Sequence, residues 1–190
     1  MVEWITNIDF TVLYWIQENL RTEWLDSLCA FLSWAFQLGL PWIFLGVVLF
    51  CFKKTRAAGV MLIAAVVVTF FFNELAVKNA VNRERPCTID PSIPLAIERP
   101  TSYSFPSGHT ASCFAAVGVL MFTHKKIGIP LILFAVIMGL SRMYLFVHFP
   151  TDVIAGAAMG LLMAWVTVLI FRELKYDEKL SNLDLKIRRN

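Results

Sequence analysis

The sequence predicts an all-α integral membrane protein, a helical bundle of about five spans with an N-terminal interfacial helix. Three observations carry this reading. Of 190 residues, 58% are hydrophobic and 16% charged, and the mean hydropathy is +0.66, too apolar for a soluble globule of this size. The apolar residues gather in runs long enough to cross a bilayer, which takes about 20 residues each. The formal net charge of +3 is small, and its basic residues are dispersed among connections and tail, which argues against a nucleic-acid partner.

The N-terminal segment, residues 1–23, is expected to lie in the interface. Residues 8–16 are mostly apolar, but Gln17, Glu18, Asn19, Arg21, Thr22 and Glu23 follow too soon for a crossing. Trp4, Tyr14 and Trp15 suit the headgroup level. Glu3 and Asp9 precede the first basic residue, Arg21, so no signal peptide is expected. The spanning core is residues 24–171. Its first span, 24–52, is longer than a crossing needs and should kink at Gly39-Leu40-Pro41; the alternative is two half-length pieces.

Lys53, Lys54 and Arg56 close that span, and a second follows over 57–77 with Asn73, Glu74 and Lys78 at its far end. Glu74 and Lys78 are four apart, on one helical face, so the acid can hold the lysine. Arg85 comes seven residues after Lys78, two turns on, and Pro86 should stop the helix. The connection 86–105 carries Pro91, Pro94 and Pro100 and is too polar to span; it is expected to cap a site. A third span begins at Ser107 and runs to 123, and a fourth covers 127–146 after the basic turn His124-Lys125-Lys126. The fifth runs over 150–171 with proline in its first turn, and 172–190 forms a charged tail, helical at its start. Cys29, Cys51 and Cys113 fall in apolar runs and Cys87 in a connection, which makes no disulfide framework.

Five spans put the Lys53 turn, the Lys125 turn and the tail on one side, with eleven basic residues: Lys53, Lys54, Arg56, Lys125, Lys126, Arg172, Lys175, Lys179, Lys186, Arg188 and Arg189. The other side has Arg21, Lys78, Arg83, Arg85, Arg99 and Arg142. The positive-inside rule makes the first side cytoplasmic. The polar clusters then face outward from the cell membrane.

Those clusters are where the chemistry is expected, because ionisable groups at membrane depth are costly and mark functional sites. Lys78, Arg85 and Arg142 bring three cations to one face, and the helix start at Ser107 and Gly108 adds backbone donors. Such a cage suits a phosphoryl group near its transition state. No carboxylate and histidine cluster with metal-ligand spacing accompanies it, so neither metal nor cofactor is expected. His148 is the candidate nucleophile, with Asp152 to orient its ring. His109 is left as acid and then base. His124, in the basic turn on the opposite side, is read as structural.

Lys78, six residues, then Arg85-Pro86; Pro106-Ser107-Gly108-His109; and Ser141-Arg142, five residues, then His148, three residues, then Asp152 together resemble the three-part signature of the type 2 phosphatidic acid phosphatase superfamily. The likeness covers about residues 24–171 and every signature position. It implies a phosphate site of Lys78, Arg85, Ser107, Gly108 and Arg142, with His109 as acid and base and His148 with Asp152 as the nucleophile pair. It also implies a membrane lipid phosphatase acting on phosphatidic acid, phosphatidylglycerol phosphate or undecaprenyl diphosphate. Lipid substrate and bilayer are the expected partners, with no obligatory protein partner. The alternatives are a phosphatase for soluble esters, a vanadate-holding haloperoxidase, and a non-enzymatic transporter or scaffold.

Overall fold

The computed structural model describes residues 3–176, and every regular element among them is helical. Helices α1 (Glu3–Asn19) and α2 (Glu23–Ala35) are followed by a 3₁₀ turn (Gln37–Gly39) and α3 (Leu40–Cys51). Helix α4 (Arg56–Phe71) runs on through a π-helical turn (Phe72–Val77) into α5 (Lys78–Val81), making one 26-residue rod. A single turn, α6 (Pro86–Ile89), lies in the long connection; α7 (Gly108–Thr123), α8 (Lys125–Tyr144) and α9 (Pro150–Glu173) complete the bundle.

Helix α7 is the axis, packed against α9, α8 and α4. Ten of its 16 residues are buried, and small side chains on it and on α9 let the backbones approach. A Cβ on Gly160 would lie 2.3 Å from the Ala111 carbonyl oxygen, and one on Gly118 2.7 Å from the Ala164 methyl. Because lipid is as apolar as a leucine side chain, helices in a bilayer gain from such close packing, not from hiding apolar surface. Leu62, Val66, Val117, Leu120, Met138 and Val168 fill the core around this contact. The perimeter is apolar too: Phe44, Leu75, Leu133 and Ile154 are 67–70% exposed, the pattern of a surface meant for hydrocarbon.

Among the described residues three helices are long and apolar enough to cross a membrane, Arg56–Val81, Lys125–Tyr144 and Pro150–Glu173, and a fourth crossing exists if the bent pair Glu23–Ala35 and Gln37–Cys51 counts as one. Helix α7 is apolar but shorter, because it starts at the polar site inside the bundle. The first expected span is therefore two helices meeting at 46°. The break falls at the start of the expected kink Gly39-Leu40-Pro41, but not at its proline. Leu38 and Gly39 take left-handed backbone (φ 57° and 70°), while Pro41 sits harmlessly in the first turn of α3.

Two other expectations change. The second helix stops at Val81, where Asn82 turns left-handed (φ 51°), and Arg85 is extended, so Arg85 does not share a helical face with Lys78. Pro86 begins α6; it does not end the earlier helix. Helix α1 points Asp9 and Leu13 inward while Trp4, Ile8 and Trp15 are more than half exposed. Arg172 donates to the Phe122 carbonyl at 3.1 Å, so the root of the tail lies beside the α7–α8 turn, as expected. The tail from 177 onward lies outside the described residues.

Replacing Gly160 with alanine should destabilise the bundle by about 1–3 kcal/mol through overpacking, because the new methyl meets backbone and no flexible side chain can yield. A thermal melt in detergent should fall for Gly160→Ala and stay near the wild-type value for Leu133→Ala, a residue 67% exposed on the perimeter.

Candidate active site

The three polar clusters converge on one cavity of about 630 Å³. Six of the eight nominated residues line it: Lys78, Arg85, Gly108, His109, Arg142 and His148. Apolar residues line it too, among them Ala30, Trp34, Phe36, Leu38 and Phe70. Ser107 and Asp152 are wholly buried behind that surface.

The Ser107 N–H donates to the Asp152 carbonyl at 3.1 Å and its hydroxyl pairs with Thr110 at 2.9 Å. That corrects one expectation, since the Ser107 amide is already engaged. The first intrahelical bond of α7 is Ala111 N–H to Ser107 O, so the amides of Gly108, His109 and Thr110 are the unclosed ones at the helix start. The fit beside Gly108 is close: a Cβ there would sit 3.2 Å from Asn73 Nδ2 and 3.6 Å from Glu74 Oε1.

Lys78 Nζ lies 2.6 Å from Glu74 Oε1, the pairing expected from their spacing, and donates to Ser102 Oγ at 3.3 Å. Arg85 is fixed at every nitrogen. Its Nε donates to the Ser102 carbonyl (2.7 Å), Nη2 to Ser102 Oγ (3.1 Å) and the Tyr103 carbonyl (3.2 Å), and Nη1 to the Val147 carbonyl (2.8 Å). The proline-rich connection thus holds the arginine as well as capping the cavity. Arg142 donates to Ser33 Oγ at 2.8 Å and to Ser141 Oγ at 3.0 Å.

Arg85 Nη1 is also 3.0 Å from His148 Nε2. A guanidinium only donates, so Nε2 must present its lone pair and the ring proton sits on Nδ1. On that side Ser104 Oγ is at 3.5 Å and Asp152 Oδ2 at 3.6 Å. The Asp152 carboxylate accepts more tightly elsewhere, from Ser104 Oγ and from the Phe149 N–H at 2.8 Å. The expected histidine–aspartate pair is therefore present but long, with the Ser104 hydroxyl set beside it. Burial, aided by the Arg85 charge and opposed by Asp152, lowers the His148 pKa to about 3. His148 is neutral at pH 7, with an unprotonated nitrogen facing the cations.

His109 Nε2 is 3.1 Å from the Ser33 carbonyl. A carbonyl only accepts, so Nε2 carries the proton there. Ser33, at the end of α2, consequently positions both His109 and Arg142, which sequence reasoning missed. It missed Ser102 and Ser104 also; single serines in a polar connection carry no pattern. A signal did exist for Asp9, a carboxylate inside an apolar run, and for Arg83, two residues before Arg85. Asp9 Oδ2 lies 2.7 Å from Arg83 Nη2, and Arg83 Nη1 lies 2.6 Å from Asp152 Oδ1.

The PAP2 superfamily model matches residues 54–176. An undecaprenyl-diphosphatase of Sulfolobus acidocaldarius is 33% identical over 165 residues, which is 86% of this chain and 78% of that protein. Among solved structures, the transmembrane PAP2-type phosphatidylglycerolphosphate phosphatase of Bacillus subtilis superposes with a TM-score of 0.74 at 25% identity, covering 90% of this chain and 88% of that one. Aquifex aeolicus LpxE superposes with a TM-score of 0.68 at 27% identity, covering 85% and 94%.

The depressed His148 pKa is checked by side-chain ¹⁵N NMR. His148 should keep the nitrogen shifts of a neutral ring from pH 7 down to pH 5, where a histidine of ordinary pKa near 6.5 is almost wholly protonated.

Proposed function

Since this chain belongs to the PAP2 superfamily, whose members named above are lipid phosphatases, we propose that it hydrolyses a membrane lipid mono- or diphosphate through a phosphohistidine on His148. The observation that carries the reading is the Arg85–His148 contact inside a cavity lined by several cations and by apolar side chains. The phosphate enters among Lys78, Arg85, Arg142 and the α7 amides, and the lipid chain lies along Trp34, Leu38 and Phe70. A phosphate oxygen takes over Arg85 as acceptor, which frees the Nε2 lone pair.

His148 Nε2 then attacks phosphorus as the ester or anhydride P–O bond breaks, and the departing oxygen takes a proton from His109 in its protonated form. Water, deprotonated by the now neutral His109, attacks the phosphohistidine and releases inorganic phosphate, restoring His148. The fixed cations stabilise the equatorial oxygens throughout, so no metal is required. Phosphatidic acid, phosphatidylglycerol phosphate and undecaprenyl diphosphate all fit this chemistry. The basic-residue asymmetry supports a cell-membrane location with the cavity facing outward.

Phosphate release by purified protein from those three lipids tests the reading, with a short-chain soluble ester as the contrast. Turnover of long-chain lipids in the presence of a chelator, inhibited by vanadate, is expected. Activity confined to the soluble ester, or a strict magnesium requirement, contradicts it.

His148→Ala should abolish turnover of every substrate. His109→Ala should cost about 10² to 10⁴ in rate on phosphatidic acid, whose departing alkoxide needs a proton, and less on undecaprenyl diphosphate, whose departing lipid monophosphate is a far weaker base and needs little help. Equal losses in single-turnover measurements would remove the leaving-group role from His109. A cysteine at Ser92 should be labelled from outside intact cells; labelling only after the membrane is opened reverses the orientation.

A further inference from the structure

We propose that Arg83 is a positioning residue for Asp152 and that Asp9 holds it in place, so that the N-terminal helix completes the active site. This rests on the phosphatase reading only for the role given to His148. Neither Arg83 nor Asp9 lines the cavity, so neither is placed to touch substrate. Both are buried, at 9% and 1% exposure.

The guanidinium of Arg83 is shared between two carboxylates from distant parts of the chain. Nη1 donates to Asp152 Oδ1 at 2.6 Å and to Thr151 Oγ1 at 2.7 Å, and Nη2 donates to Asp9 Oδ2 at 2.7 Å. Its Cζ lies 3.9 Å from the centre of the Phe149 ring, which fixes the plane of the fork. Asp9 is also saturated by its other neighbour: the Thr151 N–H donates to Oδ1 at 3.1 Å and the Thr151 hydroxyl to Oδ2. Helix α1 thereby grips the residues on both sides of Pro150 that enter α9.

Two consequences follow for Asp152. Its Oδ1 is tied down, so Oδ2 is aimed at Ser104, the Phe149 amide and His148 Nδ1. And a single guanidinium serves two carboxylates, so it cannot neutralise Asp152 fully. Asp9 draws part of the positive charge away and leaves Asp152 more negative beside the imidazole, 3.6 Å from His148 Nδ1. A bare tether between α1 and α9 would need neither buried charge; a pair of apolar side chains serves that purpose without the cost of desolvation.

The test uses Arg83→Gln, Arg83→Lys and Asp9→Asn, each alone and with Asp152→Asn. With wild-type background, Arg83→Gln should lower kcat by about 10- to 100-fold, the range seen when a partner that orients a reactive group is removed, with KM changed less than roughly twofold. Arg83→Lys should restore part of that loss. In the Asp152→Asn background the Arg83 and Asp9 changes should have no further effect on kcat. Losses that multiply, or that appear in KM, overturn the proposal.

A second measurement needs no turnover and therefore separates this proposal from the phosphatase reading. The His148 Nδ1–H proton resonance should move upfield in Asp9→Asn, as Asp152 is neutralised, and should be lost to solvent exchange in Arg83→Gln. A resonance unchanged in Asp9→Asn, in protein whose melting shows it folded, sinks the positioning role even if the enzyme hydrolyses lipid phosphates well.

Discussion

The 3.0 Å contact between Arg85 Nη1 and His148 Nε2 is the interaction the rest of the structure depends on. It joins the first polar cluster to the third, fixes the tautomer of the ring, and points an unprotonated nitrogen at the cavity. Everything around it serves to keep a cation and a neutral histidine together away from water. The connection supplies carbonyl and hydroxyl oxygens from Ser102 and Tyr103 to Arg85. Helix α7 packs its backbone closely against α9, and from its first turn Gly108 and His109 reach the cavity that Arg85 also lines.

Buried charge has to be paired or removed, and the site obeys this by chains of contacts, not isolated pairs. Glu74 answers Lys78, Ser33 and Ser141 answer Arg142, and Arg83 links Asp152 to Asp9. The cavity lining keeps an excess of positive charge, with Lys78, Arg85, Arg99 and Arg142 against Glu74 and Glu98, while Asp152 lies buried behind it. An anion is therefore favoured in the cavity, and Trp34, Leu38 and Phe70 give its lining an apolar part. Packing and function meet at Asp152, which caps α9 through the Phe149 amide and stands behind the histidine at the same time.

The fold class was legible because hydrocarbon demands long apolar runs, and the nominated residues because a charge in such a run has no bland use. Glu74 and Lys78 were legible from helical spacing alone. Arg85 was placed on the wrong element, since seven residues suit two helical turns just as well as a helix end, a left-handed Asn82 and an extended strand of chain. The break before α3 is legible at Gly39-Leu40-Pro41, but only backbone angles reveal that Leu38 and Gly39, and not Pro41, make the turn. The serines that hold the cations, and the pairing of Asp9 with Arg83 across 74 positions, depend on tertiary contact, for which one sequence carries no pattern.

The central claim is that His148 carries the phosphoryl group between two half-reactions. Rapid acid-free quenching of enzyme mixed with a lipid labelled on its terminal phosphate, followed by peptide mass spectrometry, measures this directly. The account predicts phosphate bound to a nitrogen of His148, stable to base and lost in acid, formed before inorganic phosphate appears and enriched in His109→Ala, which slows its hydrolysis. Release of inorganic phosphate at full rate with His148 unmodified at every time point would contradict it, and would mean that water attacks the lipid phosphate in one step.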